Sequence, residues 1–95
     1  MKLQVSSKAA QWYKEEMDLS EGSFIRFYVR YGGFSQLQKG FSLGVSIEEP
    51  IDPVVKTETE GIIFYIEEKD LWYFDNRDVE VDLDEKRKEP AFNHK

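Results

Sequence analysis

The chain has 95 residues, a formal charge of −6, 15% aromatic residues and no cysteine. That length makes one domain, 1–95, with a small core to which large aromatic side chains add buried area. The acidic balance argues against nucleic-acid binding, which needs a basic face for phosphates. The lack of cysteine excludes disulfides, cysteine-bound zinc, cysteine-held iron–sulfur clusters and thiol nucleophiles. No apolar run is long enough to span a bilayer. The opening residues turn polar too soon for a signal peptide, so the expected location is the cytoplasm, with no membrane partner. A core this small would gain from a second copy, so a homo-oligomer is compatible with the composition without being required by it.

In chain order, Leu3 and Val5 form an extended lead-in. Ser6 or Ser7 can then cap a helix whose apolar stripe is Ala9, Ala10, Tyr13 and Met17, with Trp12 on its shoulder. The helix is expected to stop between Asp18 and Glu21, with Gly22 free to turn left-handed. Ser23 to Glu49 organises the rest. Two arms alternate apolar and polar residues: Ile25, Phe27, Val29 and Tyr31 share one face of the first, and Phe41, Leu43, Val45 and Ile47 one face of the second. The connector carries a Gly-Gly pair and is too long for a two-residue turn, so it should project as a loop.

The opposite face of the first arm carries Arg26, Tyr28 and Arg30. Guanidinium groups fork to oxyanions and stack on rings, which makes the trio a candidate anion site. Cross-strand pairing to Glu48 or Glu49 is the simpler reading of the same arginines. Glu49-Pro50-Ile51-Asp52-Pro53 is a break. Val54 to Thr59 reads as a weaker strand, and Ile62 to Ile66 as one covered on both faces. Glu67 to Asp75 reads as a short helix with Asp70 as a cap and Leu71, Trp72 and Phe74 turned inward, leaving through a left-handed Asp75-Asn76. Val79, Val81 and Leu83 alternate with Asp78, Glu80, Asp82 and Asp84 in a last strand. Its carboxylates sit about 7 Å apart along one face, poorly placed to converge on one cation. The tail, Glu85 to Lys95, with the sole histidine His94, is expected to fray. The expected fold is therefore α+β: a small mixed, mostly antiparallel sheet with an N-terminal helix and a short helix before the last strand.

This order of elements resembles the HesB/IscA-like domain, the A-type carrier family of iron–sulfur cluster biogenesis. Ile25 to Ser35 resembles the family's strand entering a Gly-Cys-Ser-Gly-type loop, with Gly33-Phe34-Ser35 in that place and Phe34 at the cysteine position. Phe41 to Glu49 resembles the return strand. Gly61 to Asp82 resembles the family's strand, short helix and strand signature, through Ile66-Glu67, Leu71, Phe74-Asp75-Asn76 and Val79-Glu80. The family's carriers use three cysteines, one in the loop and two in a C-terminal Cys-Gly-Cys, and this chain has none of them. It resembles the cysteine-less HesB-like proteins of Gram-positive bacteria. The resemblance thus implies a non-enzymatic binding or adaptor module without a cofactor, whose protein partner would belong to the iron–sulfur assembly machinery. Its contact would be the loop Tyr31 to Gln38, chiefly Tyr31, Gly32, Gly33, Phe34, Ser35 and Gln36. The alternative is a small anionic ligand on Arg26, Tyr28 and Arg30. Enzymatic acid–base work would need paired carboxylates in a dry pocket, and the carboxylates here look peripheral.

Overall fold

A computed structural model describes residues 1–32 and 40–94. The chain forms β1 (Leu3–Val5), α1 (Ser7–Glu16), β2 (Phe24–Tyr31), β3 (Phe41–Ile47), β4 (Pro53–Thr59), β5 (Ile62–Glu67), a 3-10 helix (Glu68–Phe74), β6 (Val79–Asp84) and β7 (Glu89–His94). The strands make two sheets, ordered β1-β6-β7 and β3-β2-β5-β4.

The helix begins as its sequence dictates. The Ser6 hydroxyl accepts the Ala9 amide at 3.1 Å, while the Ser6 amide donates to the Val81 carbonyl at 2.9 Å, tying helix and sheet together. Ala9, Ala10 and Tyr13 are buried. Tyr13 meets Phe27 and Phe64, which stack on each other with centroids 5.7 Å apart. Phe92 of β7 closes that cluster edge-on against Phe27 at 5.2 Å. The core therefore lies between the two sheets and under α1, filled mainly by rings.

Three expectations need correcting. The sheets are mixed: β1 runs parallel to β6 and β2 parallel to β5, alongside the antiparallel pairs β2–β3, β4–β5 and β6–β7. Alternation along a strand marks its faces and does not say which strand lies beside it. Glu89–His94, expected to fray, pairs with β6 along its length, Val79 opposite His94 and Asp84 opposite Glu89. What holds it is Phe92 in the ring cluster, together with Trp12 Nε1 donating to the Lys88 carbonyl at 2.9 Å. Trp72, expected inward, is 53% exposed, whereas Tyr73 and Phe74 are buried. A 3-10 helix turns every three residues rather than every 3.6, so Lys69, Trp72 and Asp75 share the exposed face. The helix leaves through Asp75 and Asn76, left-handed at φ 49° and 60°, as the sequence indicates.

The carboxylates of β6 and its flanks serve the backbone. Asp78 accepts the Lys2 amide, Asp82 the Leu83 amide and Asp84 the Lys86 and Arg87 amides.

Candidate functional site

β2 is longer than the neighbour that covers it. Its parallel pairing with β5 spans only Phe24 to Arg26; β5 runs two residues past Tyr65, to Glu67, and the chain then turns into the 3-10 helix. A side chain takes over where the strand stops. Asp70 Oδ1 accepts the Val29 amide at 3.2 Å, and its Oδ2 takes Arg26 Nη2 at 2.7 Å. Asp70 is 5% exposed, so this charge-assisted bond sits largely out of water. Asp70 is thus the clamp between the 3-10 helix and β2, and makes no helix cap. On the other side of the guanidinium, Glu48 stands 3.4 Å from Nη1. The Ser46 hydroxyl and then the Arg26 charge hold the Glu48 carboxyl below its ordinary range.

The clamp presents Trp72. Its ring meets Phe41 edge-on at 5.2 Å, and Phe41 meets Tyr31 edge-on at 5.7 Å. On the inner side Trp72 contacts Tyr73, Tyr73 contacts Phe74, and Phe74 leans on His94 at 6.5 Å. A row of rings therefore climbs from the buried Phe74 to Tyr31, which is 94% exposed. Edge-to-face packing of this kind fixes orientation as well as burying area. The outer end stands at the root of the 31–38 connector, where the Gly32 amide donates to the Gly40 carbonyl at 2.7 Å. Beside Trp72 lies an open depression of about 390 Å³ lined by Glu68, Leu71, Trp72, Asp75 and Asn76. The surface thus combines apolar rings with an acidic rim.

Of the loop residues singled out in the sequence, Tyr31 and Gly32 stand at this root, and Gly33, Phe34, Ser35 and Gln36 lie outside the described residues. The second group, Arg26, Tyr28 and Arg30, does share one face of β2. There Arg26 is spent on Asp70 and Glu48 and lies 5.6 Å from the centroid of the Tyr28 ring. Tyr28 and Arg30 fold across Gly44 on β3, where a Cβ would meet Tyr28 Cζ at 2.5 Å. Arg26 therefore works within the fold, in the cross-strand pairing to Glu48 that its sequence position suggests. Phe41 and Trp72, the middle of the ring row, stand outside the site expected from sequence. Phe41 reads as one more strand residue, and the exposure of Trp72 follows only from the 3-10 pitch.

The model of the iron–sulphur cluster biosynthesis family matches residues 1–95. The chain belongs to that family. The HesB/IscA-like resemblance read from Ile25–Ser35, Phe41–Glu49 and Gly61–Asp82 is thereby upheld over the whole chain. A Bacillus subtilis protein named pyruvate dehydrogenase inhibitor is 51% identical over 94 residues, covering 99% of each chain. Uncharacterized proteins of Staphylococcus saprophyticus (39% identical, 90% of each chain) and Staphylococcus aureus (33% identical, 100% of each chain) are further relatives. No solved structure gives a significant match.

The family's cargo is an iron–sulfur cluster, and the donors of this chain do not fit one. It has no thiolate, and the described residues contain no group of three His, Asp or Glu side chains able to share a metal. Clusters are held by thiolates, with imidazole as a partial substitute. This member therefore lacks the ligand set on which cluster carriage depends. Among the described residues no helix is long and apolar enough to cross a membrane.

Proposed function

We propose that this family member is a non-enzymatic protein-binding module that inhibits pyruvate dehydrogenase, acting through the ring row Tyr31, Phe41 and Trp72 together with the 31–38 connector. The observation that carries the reading is the row itself. Three aromatic side chains converge at the surface on a support locked by a buried ion pair. Rigid, partly exposed aromatics lose little side-chain entropy on binding and serve as anchors of protein interfaces. The absence of thiolates removes the carrier chemistry and leaves the surface. The target class comes from the Bacillus subtilis relative, whose name describes an inhibitor and whose length this chain matches. The acidic rim, Glu68 and Asp75, suits a partner whose apolar socket is bordered by basic residues.

The test is pyruvate-dependent NAD reduction by a purified pyruvate dehydrogenase complex with increasing amounts of this protein. The wild-type chain is expected to lower the rate at saturation. Trp72→Ala is expected to weaken inhibition about 30-fold, from a loss of about 2 kcal/mol at an interface anchor. A complex indifferent to the wild-type protein, or a Trp72→Ala variant as potent as wild type, refutes the proposal.

A further inference from the structure

The two sheets have four outer strands, and three of them are protected. β1 and β4 face each other, with the Thr59 hydroxyl of β4 donating to the Val5 carbonyl of β1 at 3.0 Å. β7 carries Glu89 and Pro90, residues that discourage a further strand from pairing. β3 is different. Its seven residues, Phe-Ser-Leu-Gly-Val-Ser-Ile, contain neither a charge nor a proline, and among the described residues its one ladder partner is β2.

The register shows which backbone groups β3 leaves open. The Gly32 amide bonds the Gly40 carbonyl, and the β2–β3 pairing continues without a shift from Tyr31 opposite Phe41 to Ile25 opposite Ile47. In an antiparallel ladder hydrogen-bonded pairs alternate with unbonded ones. Ser42, Gly44 and Ser46 therefore bond inward to β2. Phe41, Leu43, Val45 and Ile47 point their amides and carbonyls outward.

We propose that two copies of this chain pair antiparallel through β3 about a two-fold axis at Gly44, making one continuous sheet. The strand is complementary to itself in this register. Phe41 falls opposite Ile47 of the second copy and Leu43 opposite Val45, so all four outward-facing residues meet outward-facing residues and make about eight backbone bonds. Ser42 lies opposite Ser46, and glycine meets glycine at the axis, with Tyr28 and Arg30 of each chain lying across Gly44 on the face opposite the apolar one. The apolar faces coincide as well. Ile47, 56% exposed in the single chain, comes to rest beside the Phe41 ring of the other copy. Each chain carries a charge of −6, so an uncharged strand is where two copies approach with least repulsion, and added salt tightens the pair. One strand from each copy makes a small interface, of the class below about 1,200 Å² that associates weakly. The pairing shares Phe41 with the ring row but uses neither Tyr31 nor Trp72, and it does not depend on the inhibitor reading.

Sedimentation equilibrium of the full chain, from micromolar to millimolar, is expected to give a monomer–dimer equilibrium that strengthens with salt. Ile47→Lys, at an exposed position, is expected to remain folded and monomeric. The register is tested by oxidation, since the chain has no cysteine of its own. A mixture of the single variants Ser42→Cys and Ser46→Cys should give a disulfide-linked heterodimer. Either variant alone should not, because like positions would lie about 13 Å apart. A wild-type chain monomeric throughout, or a mixture that cross-links no better than its components, overturns the proposal. Inhibition retained by a monomeric Ile47→Lys chain leaves the two proposals standing apart.

Discussion

Replacing Asp70 tests the physical basis of the presented surface. In Asp70→Ala the Val29 amide loses the acceptor at 3.2 Å and Arg26 Nη2 loses the one at 2.7 Å. An unpaired buried amide costs about 1–3 kcal/mol, and stranding one partner of a buried ion pair about 3–5 kcal/mol. The second figure falls here because the Arg26 side chain keeps 12% exposure and retains Glu48 at 3.4 Å. Little further relief is open to it, since Arg26 Nε is already buried without a hydrogen-bond partner among the described residues. The expected loss is about 3 kcal/mol, or roughly 12–24 °C in Tm for a domain of this size. Asp70→Asn keeps an acceptor for Val29 and gives up the charge, so it should cost about half as much. Arg26→Met combined with Asp70→Ala removes both charges, and should be less destabilised than the two single changes summed, by more than about 1 kcal/mol. Thermal and urea unfolding followed by circular dichroism measures all four variants. Tryptophan emission should show Trp72 released in Asp70→Ala. If Asp70→Ala stays within about 0.5 kcal/mol of wild type, or if the double variant is strictly additive, the clamp is not what holds the 3-10 helix to β2.

Two further outcomes follow from other buried or half-buried polar groups. The Glu67 carboxylate, 5% exposed, accepts the Ile51 and Asp52 amides at 3.1–3.3 Å and pins the proline break to the end of β5. Glu67→Ala should cost about 1–2 kcal/mol and speed hydrogen exchange at those two amides, whereas unchanged exchange would show that the carboxylate does not restrain the turn. Burial, and then the nearby Arg77 charge, lower the His94 pKa from its ordinary 6.5. The unfolded chain thus takes up a proton before the folded one. The His94 contribution is fully present above pH 6.5 and is lost as pH falls from there through the folded pKa. His94→Gln should flatten the fall in Tm between pH 7.5 and 5, and an identical slope in the variant would refute the assignment.

The sequence shows where strands and helices occur, because alternation, the Ser6 cap and the Asp75-Asn76 exit are local signals read at local range. What it hides is long-range or depends on helical pitch. Asp70 and Arg26 are 44 positions apart, and nothing in either neighbourhood names the other. A strand that ends two residues past Tyr65 leaves Val29 needing an acceptor, a requirement visible only once β5 lies beside β2. Glu89–His94 offers too few apolar residues for a strand pattern, yet Phe92 alone reaches the ring cluster. Trp72 points inward on a count of 3.6 residues per turn, where the chain winds at three. The binding surface is the coincidence of that pitch with the root of a hairpin, so of its described residues only Tyr31 and Gly32 are legible in the sequence.

The parallel pairing of β1 with β6 has a consequence for the birth of the protein. Leu3 finds its place beside Val79, and Val79 in turn beside His94. β1 can pair only after nearly the whole of this sequence has emerged from the ribosome. At about 5–20 residues per second this leaves Leu3 and Val5 waiting several seconds, with the apolar residues of α1 also short of their final cover. Folding of this domain therefore belongs to the end of its synthesis.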